Sequence, residues 1–358
     1  MPAQQQTDEQ YMQRALQLAR HGAGTVAPNP MVGAVVVCDG KIIGEGFHRI
    51  CGGPHAEVNA IASVKNAELL PLSTLYVTLE PCSHFGKTPP CADLIVSKKI
   101  KRVVVGCQDP FVKVAGRGIE RLRDAGIEVV TGCLESKCRA LIGAFITFHT
   151  LRRPYVILKW AQSADGFIDR QRTSLADGSP AKLSSQTAAL YAHRLRSQVN
   201  AIIVGTRTAL LDNPSLNTRL YSGKNPLRVA IDRSGKVPDT ALLKNDDADT
   251  LIFTEQAREP HGRVSYAVVD FSTVIIPQIL SELHSQNIQT LLVEGGTQLL
   301  NSFINANLWD EARVETSAIT LGSGVAAPQL SLTPHKQVQA ETSVICYYLK
   351  TGCELKIR

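Results

Sequence analysis

Apolar residues recur at helical spacing near the start of the chain (Tyr11, Ala15, Leu18 and Ala19), which predicts a helix over residues 8–22. The apolar run Met31–Val37, with Asp39-Gly40 behind it, reads as strand, tight turn and second strand. The period then alternates: helix at 55–64, strand at 74–79, helix at 91–97, strand at 102–106, helix at 118–124, strand at 127–130, and one helix over 134–149. Strands alternating with helices predict an α/β sandwich with partly parallel strands.

Arg152-Arg153-Pro154 interrupts this pattern, because proline disfavours helix at the residue before it. The boundary is expected near residue 150, giving domains 1–150 and 151–358, and 358 residues are enough for two separate cores. The second half repeats the α/β alternation, with strands expected at 155–159, 201–204, 227–231, 250–253 and 291–293 and helices at 186–198, 278–285 and 298–305. Residues 221–225 and 246–249 read as exposed loops, and no internal repeat or low-complexity tract is visible.

Composition narrows the class. With 44% hydrophobic and 20% charged residues and a mean hydropathy of −0.02, the chain is of ordinary globular type. The polar N-terminus lacks the marks of a secretory signal, and no run of about eighteen apolar residues occurs, so a cytoplasmic protein without membrane association is expected. Nine cysteines are too sparse for a disulfide framework; they read as buried thiols, metal ligands or nucleophiles. A net charge of +6 without a basic block fits an anionic small substrate as well as any other partner, and argues for no long nucleic acid.

The chemistry is concentrated in Pro54-His55-Ala56-Glu57, then Pro81-Cys82, then Cys91 after eight intervening residues. His55, Cys82 and Cys91 offer one nitrogen and two thiolates, the three protein ligands of a catalytic zinc whose fourth position stays open. Glu57, two residues after His55, is placed to carry a proton beside the metal without ligating it, as in zinc deaminases that replace an amine by a carbonyl. Cys91 opens a predicted helix, whose positive end favours a thiolate there. A closed structural zinc site is the competing reading, but His84 and Cys51 are not in a paired structural spacing, and Glu57 would then be unexplained. The remaining cysteines, including Cys38, Cys107, Cys133 and Cys138, read as small buried apolar residues.

The segment from Pro81 to Cys91, with Asn29-Pro30-Met31-Val32-Gly33 upstream, resembles the deaminase half of the bifunctional deaminase–reductases of riboflavin biosynthesis. The long spacing between the cysteines departs from the P-C-x-x-C of nucleic-acid-editing deaminases and weighs against that rival. The resemblance implies that Asn29, His48 and Lys87 contact substrate. Read from the residues alone, Asn29 could equally be a turn residue, His48 a strand cap and Lys87 a solvated loop charge.

Lys159 to Gly166, Val204 to Thr208, Asp212 to Leu216 with Arg219, and Leu292 to Thr297, in that order, resemble the reductase half of the same enzymes. The whole chain is thereby expected to pair an N-terminal cytidine-deaminase-like α/β/α sandwich with a C-terminal dihydrofolate-reductase-like α/β domain. The cofactors implied are zinc and NADPH, the substrates phosphorylated pyrimidines, and the assembly a homo-oligomer. Ala161, Thr208, Gly295, Gly296 and Thr297 would border NADPH. Lys159, Ser184, Arg196, Asp212, Leu216, Arg219 and Glu294 would border the ribosyl phosphate or its ring, with arginine suited to phosphate. Lys182 stands where the family form is expected to carry an aromatic residue. Glu294-Gly295-Gly296 between a strand and a helix suits a phosphate, although by itself the tripeptide also fits a plain turn. Residues 322–327 match G-x-G-x-x-A in letters but are expected to form a loop.

Overall fold

The computed structural model describes residues 2–83, 89–109 and 116–350. The chain divides into two compact units, one ending at Ile146 and the other beginning at Thr147.

In the first unit the elements are α1 (Pro2–Ala19), β1 (Gly33–Cys38), β2 (Lys41–Phe47), α2 (Ala56–Ala62), β3 (Thr74–Leu79), α3 (Cys91–Ser97), β4 (Arg102–Cys107), α4 (Arg117–Asp124), β5 (Glu128–Thr131) and α5 (Glu135–Leu141). They form a five-stranded sheet in the order β2-β1-β3-β4-β5, antiparallel at the hairpin and parallel from β3 onward. Strand alternation sends Ala34, Val36, Leu75, Val77, Val103 and Val105 to a core shared with α2, α3 and α4. Helices α1 and α5 pack on the opposite face, completing the expected α/β/α sandwich. The helix expected over 134–149 is two helices, α5 and α6 (Gly143–Thr150), broken at Ile142, whose ψ of 16° leaves the helical range. Helix α1 begins earlier than its apolar pattern suggested.

One buried charge network ties α1 to this sheet. The Asp8 carboxylate accepts two hydrogen bonds from the Arg102 guanidinium (2.9 and 2.8 Å) and one from the Tyr76 hydroxyl (2.8 Å). Burial alone would raise the Asp8 pKa, but the bonds from Arg102, Tyr76 and Gln4 together outweigh it and hold the carboxyl below its ordinary value.

In the second unit the elements are β6 (Tyr155–Gln162), β7 (Phe167–Asp169), α7 (Gln186–Arg196), β8 (Ala201–Val204), α8 (Thr206–Asp212), β9 (Leu227–Ile231), β10 (Thr250–Thr254), β11 (Val264–Val268), α9 (Ile275–Ser285), β12 (Thr290–Glu294), α10 (Thr297–Asn305), β13 (Glu311–Thr316), β14 (Val325–Ala326), β15 (Lys336–Ala340) and β16 (Ser343–Leu349). A nine-stranded sheet runs β11-β10-β9-β8-β12-β6-β13-β16-β15, parallel from β11 to β13 and antiparallel through β16 and β15. Its central strands are buried on both faces: Val156, Leu158, Ile203 and Val293 face one core, and Ile157, Ile202, Val204 and Leu292 the other. Residues 322–327 are not wholly loop, since Val325–Ala326 pairs with β7.

After β8 the chain passes to the face carrying the second of these cores, where Ala209 of α8 packs, and after β12 to the other face, where Leu299, Leu300 and Phe303 of α10 pack. The adjacent strands β8 and β12 thus send their helices to opposite sides. Such a divergence opens a crevice at the carboxyl ends of the strands. No helix among the described residues is long and apolar enough to cross a membrane.

Replacing Asp8 by Ala should destabilise the protein by ~1–3 kcal/mol, because Tyr76 and part of the Arg102 guanidinium lose their acceptor while Arg102 keeps its pair with Glu128. Urea titration followed by circular dichroism measures the loss. The Asp8 contribution should be complete above the unfolded-state carboxylate pKa of about 3.9 and vanish as pH falls through the lower folded value.

Candidate active sites

The first cluster is assembled from three element ends. His55 is the residue preceding α2, Cys82 lies just past β3, and Cys91 is the first residue of α3. His55 Nδ1 lies 3.6 Å from Cys82 Sγ and 3.3 Å from Cys91 Sγ, and the three ligand atoms all fall within 4.8 Å of one another. A tetrahedral zinc with Zn–S of about 2.3 Å and Zn–N of about 2.0–2.1 Å places nitrogen and sulfur about 3.5 Å apart, so the side chains fit that ion. Among the described residues no fourth histidine, cysteine or carboxylate joins the group.

Charge in this cluster is unevenly shared. Cys82 is held down to about 4, first by a hydrogen bond from the Cys91 thiol and then by His55 and the Cys91 backbone N–H. The hydrogen bond to Cys82 and burial push the Cys91 thiol upward, while the bond to Cys82 raises His55. At Cys91, burial and the neighbouring Cys82 sulfur oppose the thiolate that the start of α3 favours. Glu57 is 3% exposed, and burial pushes its carboxyl up to about 7 against its own backbone N–H and the charge on His55.

Beside the cluster, Asn29 Nδ2 lies 3.0 Å from His48 Nε2, and His48 Nδ1 lies 3.0 Å from the Pro54 carbonyl oxygen. The carbonyl can only accept, so Nδ1 carries the proton and Nε2 accepts from Asn29. The His48 and His55 rings meet edge to face at 5.5 Å. Lys87 lies outside the described residues. Of the other cysteines, Cys38, Cys107 and Cys138 are buried as expected; Cys51 is exposed and Cys133 half-buried, both in connections, and Cys346 is half-buried on β16.

The second site is a cavity of about 890 Å³ at the crevice between β8 and β12. Lys159, Ala161, Ser184, Arg196, Thr208, Asp212, Leu216, Glu294, Gly295, Gly296 and Thr297 all line it, as does Lys182. Arg219 is not among its lining residues; it donates to Ser215 Oγ and Asn217 Oδ1. A Cβ added to Gly295 or Gly296 would meet nothing closer than Thr208 Oγ1 at 3.5 Å, and the φ of Gly296 is an ordinary −67°. Neither packing nor backbone conformation requires glycine at 296. The open backbone there, with the uncapped start of α10 and the Gly296 N–H held by Thr208 Oγ1 at 3.0 Å, suits a phosphate approaching the main chain.

At the other end of the cavity, Arg196 Nη2 donates to Glu294 Oε2 at 2.6 Å, and Arg196 Nη1 donates to the Asn217 carbonyl at 3.2 Å. Burial favours the neutral acid at Glu294, yet Arg196 and Lys159 together keep its pKa below the usual value. Ser184 donates to the buried Glu315 carboxylate at 2.7 Å. Leu216 is buried with φ of +52°, a region that costs a non-glycine residue roughly 1–2 kcal/mol. Sequence patterns missed Arg172, which is buried at the cavity wall and bonded to Asp169 and Asp212. They also missed Arg233, stacked over the Phe271 ring at 5.5 Å. No local spacing signals either arrangement.

Zinc uptake by the metal-free protein should release protons near pH 7, since the thiol ligands must be deprotonated and the imidazole neutral to bind the ion. Affinity should accordingly fall as pH falls. Titration calorimetry in buffers of different ionisation enthalpy measures the proton count, and release of none would contradict the ionisation pattern above.

Comparison with known proteins covers both halves of the chain. Residues 5–107 match the cytidine and deoxycytidylate deaminase zinc-binding region, and residues 154–346 match the RibD C-terminal domain. The riboflavin biosynthesis protein RibD of Aquifex aeolicus is 39% identical over 330 residues, 91% of each chain. That of Escherichia coli K12 is 37% identical over 340 residues, 88% of this chain and 89% of the relative. The crystal structure of a diaminohydroxyphosphoribosylaminopyrimidine deaminase/5-amino-6-(5-phosphoribosylamino)uracil reductase from Thermotoga maritima is 38% identical, with a TM-score of 0.85 over 96% of this chain and 99% of that one. With both halves matched and the relatives covered nearly end to end, the chain belongs to the RibD family of riboflavin biosynthesis proteins.

Proposed function

We propose that this chain catalyses two successive steps of riboflavin biosynthesis: hydrolytic deamination of a diaminopyrimidinone ribosyl phosphate in residues 1–150, then NADPH-dependent reduction of the ribosyl chain to ribityl in residues 151–358. The observation that carries the reading is the triangle of His55, Cys82 and Cys91 with the buried Glu57 carboxyl beside it. Three ligands leave a position open for chemistry, where a structural site would close it.

When bound, zinc supplies a Lewis acid that activates water near neutral pH. Glu57, with a pKa near neutrality, takes up a proton and delivers it to the departing amine. Asn29 and His48, fixed in one tautomer by the Pro54 carbonyl, orient the pyrimidine, and Lys87 meets the phosphate.

In the reductase the glycine turn and Thr208 receive the cofactor phosphates, while Ala161 and Thr297 border the rest of NADPH. NADPH supplies the hydride. Lys159, Ser184, Asp212, Leu216 and the Arg196–Glu294 pair hold the ribosyl phosphate and its ring, with Arg219 closing on the phosphate from outside the cavity lining. Substrate phosphate entering this site draws Arg196 partly away from Glu294. The substrates are small phosphorylated pyrimidines, not nucleic acid, and the working form is a homo-oligomer in the cytoplasm.

Glu57→Gln should retain zinc yet lose deamination by roughly 100- to 10,000-fold, the usual worth of a positioned proton carrier. Metal analysis and ammonia release on the purified variant provide the comparison; near-normal deamination would remove Glu57 from the mechanism. In the second half, Gly296→Val should weaken NADPH binding at least about tenfold, a change of about 1.4 kcal/mol. Glu294→Gln should bind NADPH normally but reduce the ribosyl substrate poorly. NADPH fluorescence titration and single-turnover reduction separate the two effects, and normal NADPH binding by a folded Gly296→Val would show that the cofactor lies elsewhere.

A further inference from the structure

Glu80 lies one residue past β3 and two before Cys82, and it is 6% exposed. Its carboxylate is saturated by four main-chain donors. Asp109 N–H (3.2 Å) and Gly116 N–H (3.0 Å) donate to Oε2, and Gly118 N–H (2.9 Å) and Ile119 N–H (3.4 Å) donate to Oε1. These groups come from just past β4 and from the start of α4. The residue preceding α4 is Gly116, which has no side chain to cap the helix, so the carboxylate of Glu80 serves as its cap from a distant strand. The contact is close as well as polar: a Cβ on Gly118 would fall 1.9 Å from the Pro81 carbonyl oxygen, so only glycine lets α4 reach that peptide.

Cys82 is gripped from its other side by α3. Its carbonyl accepts from Ala92 N–H at 3.2 Å and its sulfur from Cys91 N–H at 3.3 Å. The segment Glu80-Pro81-Cys82 is therefore clamped between the first turns of α3 and α4. The α3 contacts tie Cys82 to Cys91; the Glu80 contacts tie it to the sheet edge.

We propose that Glu80 is a positioning residue of the metal centre, whose four hydrogen bonds, three to the start of α4 and one to Asp109 past β4, hold Cys82 at the spacing from His55 and Cys91 that a tetrahedral ion requires. This rests on reading the cluster as a zinc site. The carboxylate is needed for its two acceptor oxygens. A glutamine would turn an NH2 group toward one pair of N–H donors and could satisfy only the other pair. Groups that orient metal ligands typically change metal affinity by 10- to 100-fold when replaced.

The test compares Glu80→Gln with Tyr76→Phe in the full chain, the latter losing one hydrogen bond to Asp8 in the same unit but away from the cluster. Zinc affinity is measured by competition with a chromophoric chelator, and ligand geometry by the visible spectrum of the cobalt-substituted protein, both well below the melting temperature. Glu80→Gln should bind zinc about 10- to 100-fold more weakly, shift the cobalt bands, and lower kcat for ammonia release more than it raises KM. Tyr76→Phe should lower Tm alone. If Glu80→Gln also lowers only Tm, with zinc affinity and cobalt spectrum unchanged, the positioning role is overturned. Should Glu80→Gln not fold, Gly118→Ala, which displaces Pro81 while keeping the carboxylate, must shift the cobalt bands, and an unchanged spectrum would again overturn it. Failure of the wild-type protein to give a tetrahedral thiolate spectrum would instead refute the zinc reading itself.

Discussion

A strand inside a parallel sheet leaves at its carboxyl end, usually into a helix whose first N–H groups have no partner within that helix. In both units these ends gather N–H donors whose partners lie outside their own helix, with small or polar residues, at one edge of the sheet. In the first, the connection from β3 to α3 carries Cys82 and Cys91, and the start of α2 brings His55 beside them. In the second, β8 enters α8 through Gly205 and β12 enters α10 through Gly296, and neither helix has a side-chain cap. The two sites furnish the carboxyl edge of their sheets differently, one with sulfur and imidazole and the other with bare glycine backbone.

The two sites manage buried charge differently. In the first cluster, hydrogen bonds from Cys91 and His55 lower Cys82, while burial and the contact with Cys82 raise Cys91. Such a cluster is poised to exchange protons for a dication. In the reductase cavity the charges are already compensated: Arg196 is bonded to Glu294, and Arg172 to Asp169 and Asp212. An anionic ligand must enter as a third member of these networks. Binding there is a redistribution among existing partners, which favours selectivity over raw affinity.

The backbone around each site is held by contacts remote in sequence. Glu80 caps α4, Ser184 is fixed by Glu315 on β13, and Thr208 of α8 holds the Gly296 N–H. Rigid elements on both sides of a reactive group keep it in place more closely than a loop could.

Much of this was legible along the chain. The apolar runs within residues 31–37, 74–79, 201–204 and 291–293 mark strands, because strands buried on both faces must be apolar throughout. The clustering of His55, Cys82 and Cys91 and the Gly295-Gly296 turn before α10 were readable because residue type and local pattern carry them. Strands β13 and β15 were not, since Glu311–Thr316 and Lys336–Ala340 mix charged and apolar residues and become strands only through their neighbours in the sheet. The break between α5 and α6 left no proline or glycine signal at Ile142 itself. Sequence alone therefore determined which chemical groups are available and which short segments carry them. Tertiary structure decided their state: Arg196 meets Glu294 across 98 residues, Cys82 and Cys91 meet at His55, and Glu80 finds its donors on another helix. Hydrogen bonds and ionisation depend on which strands lie side by side, and the order of strands in a sheet is not written in the spacing of residues along the chain.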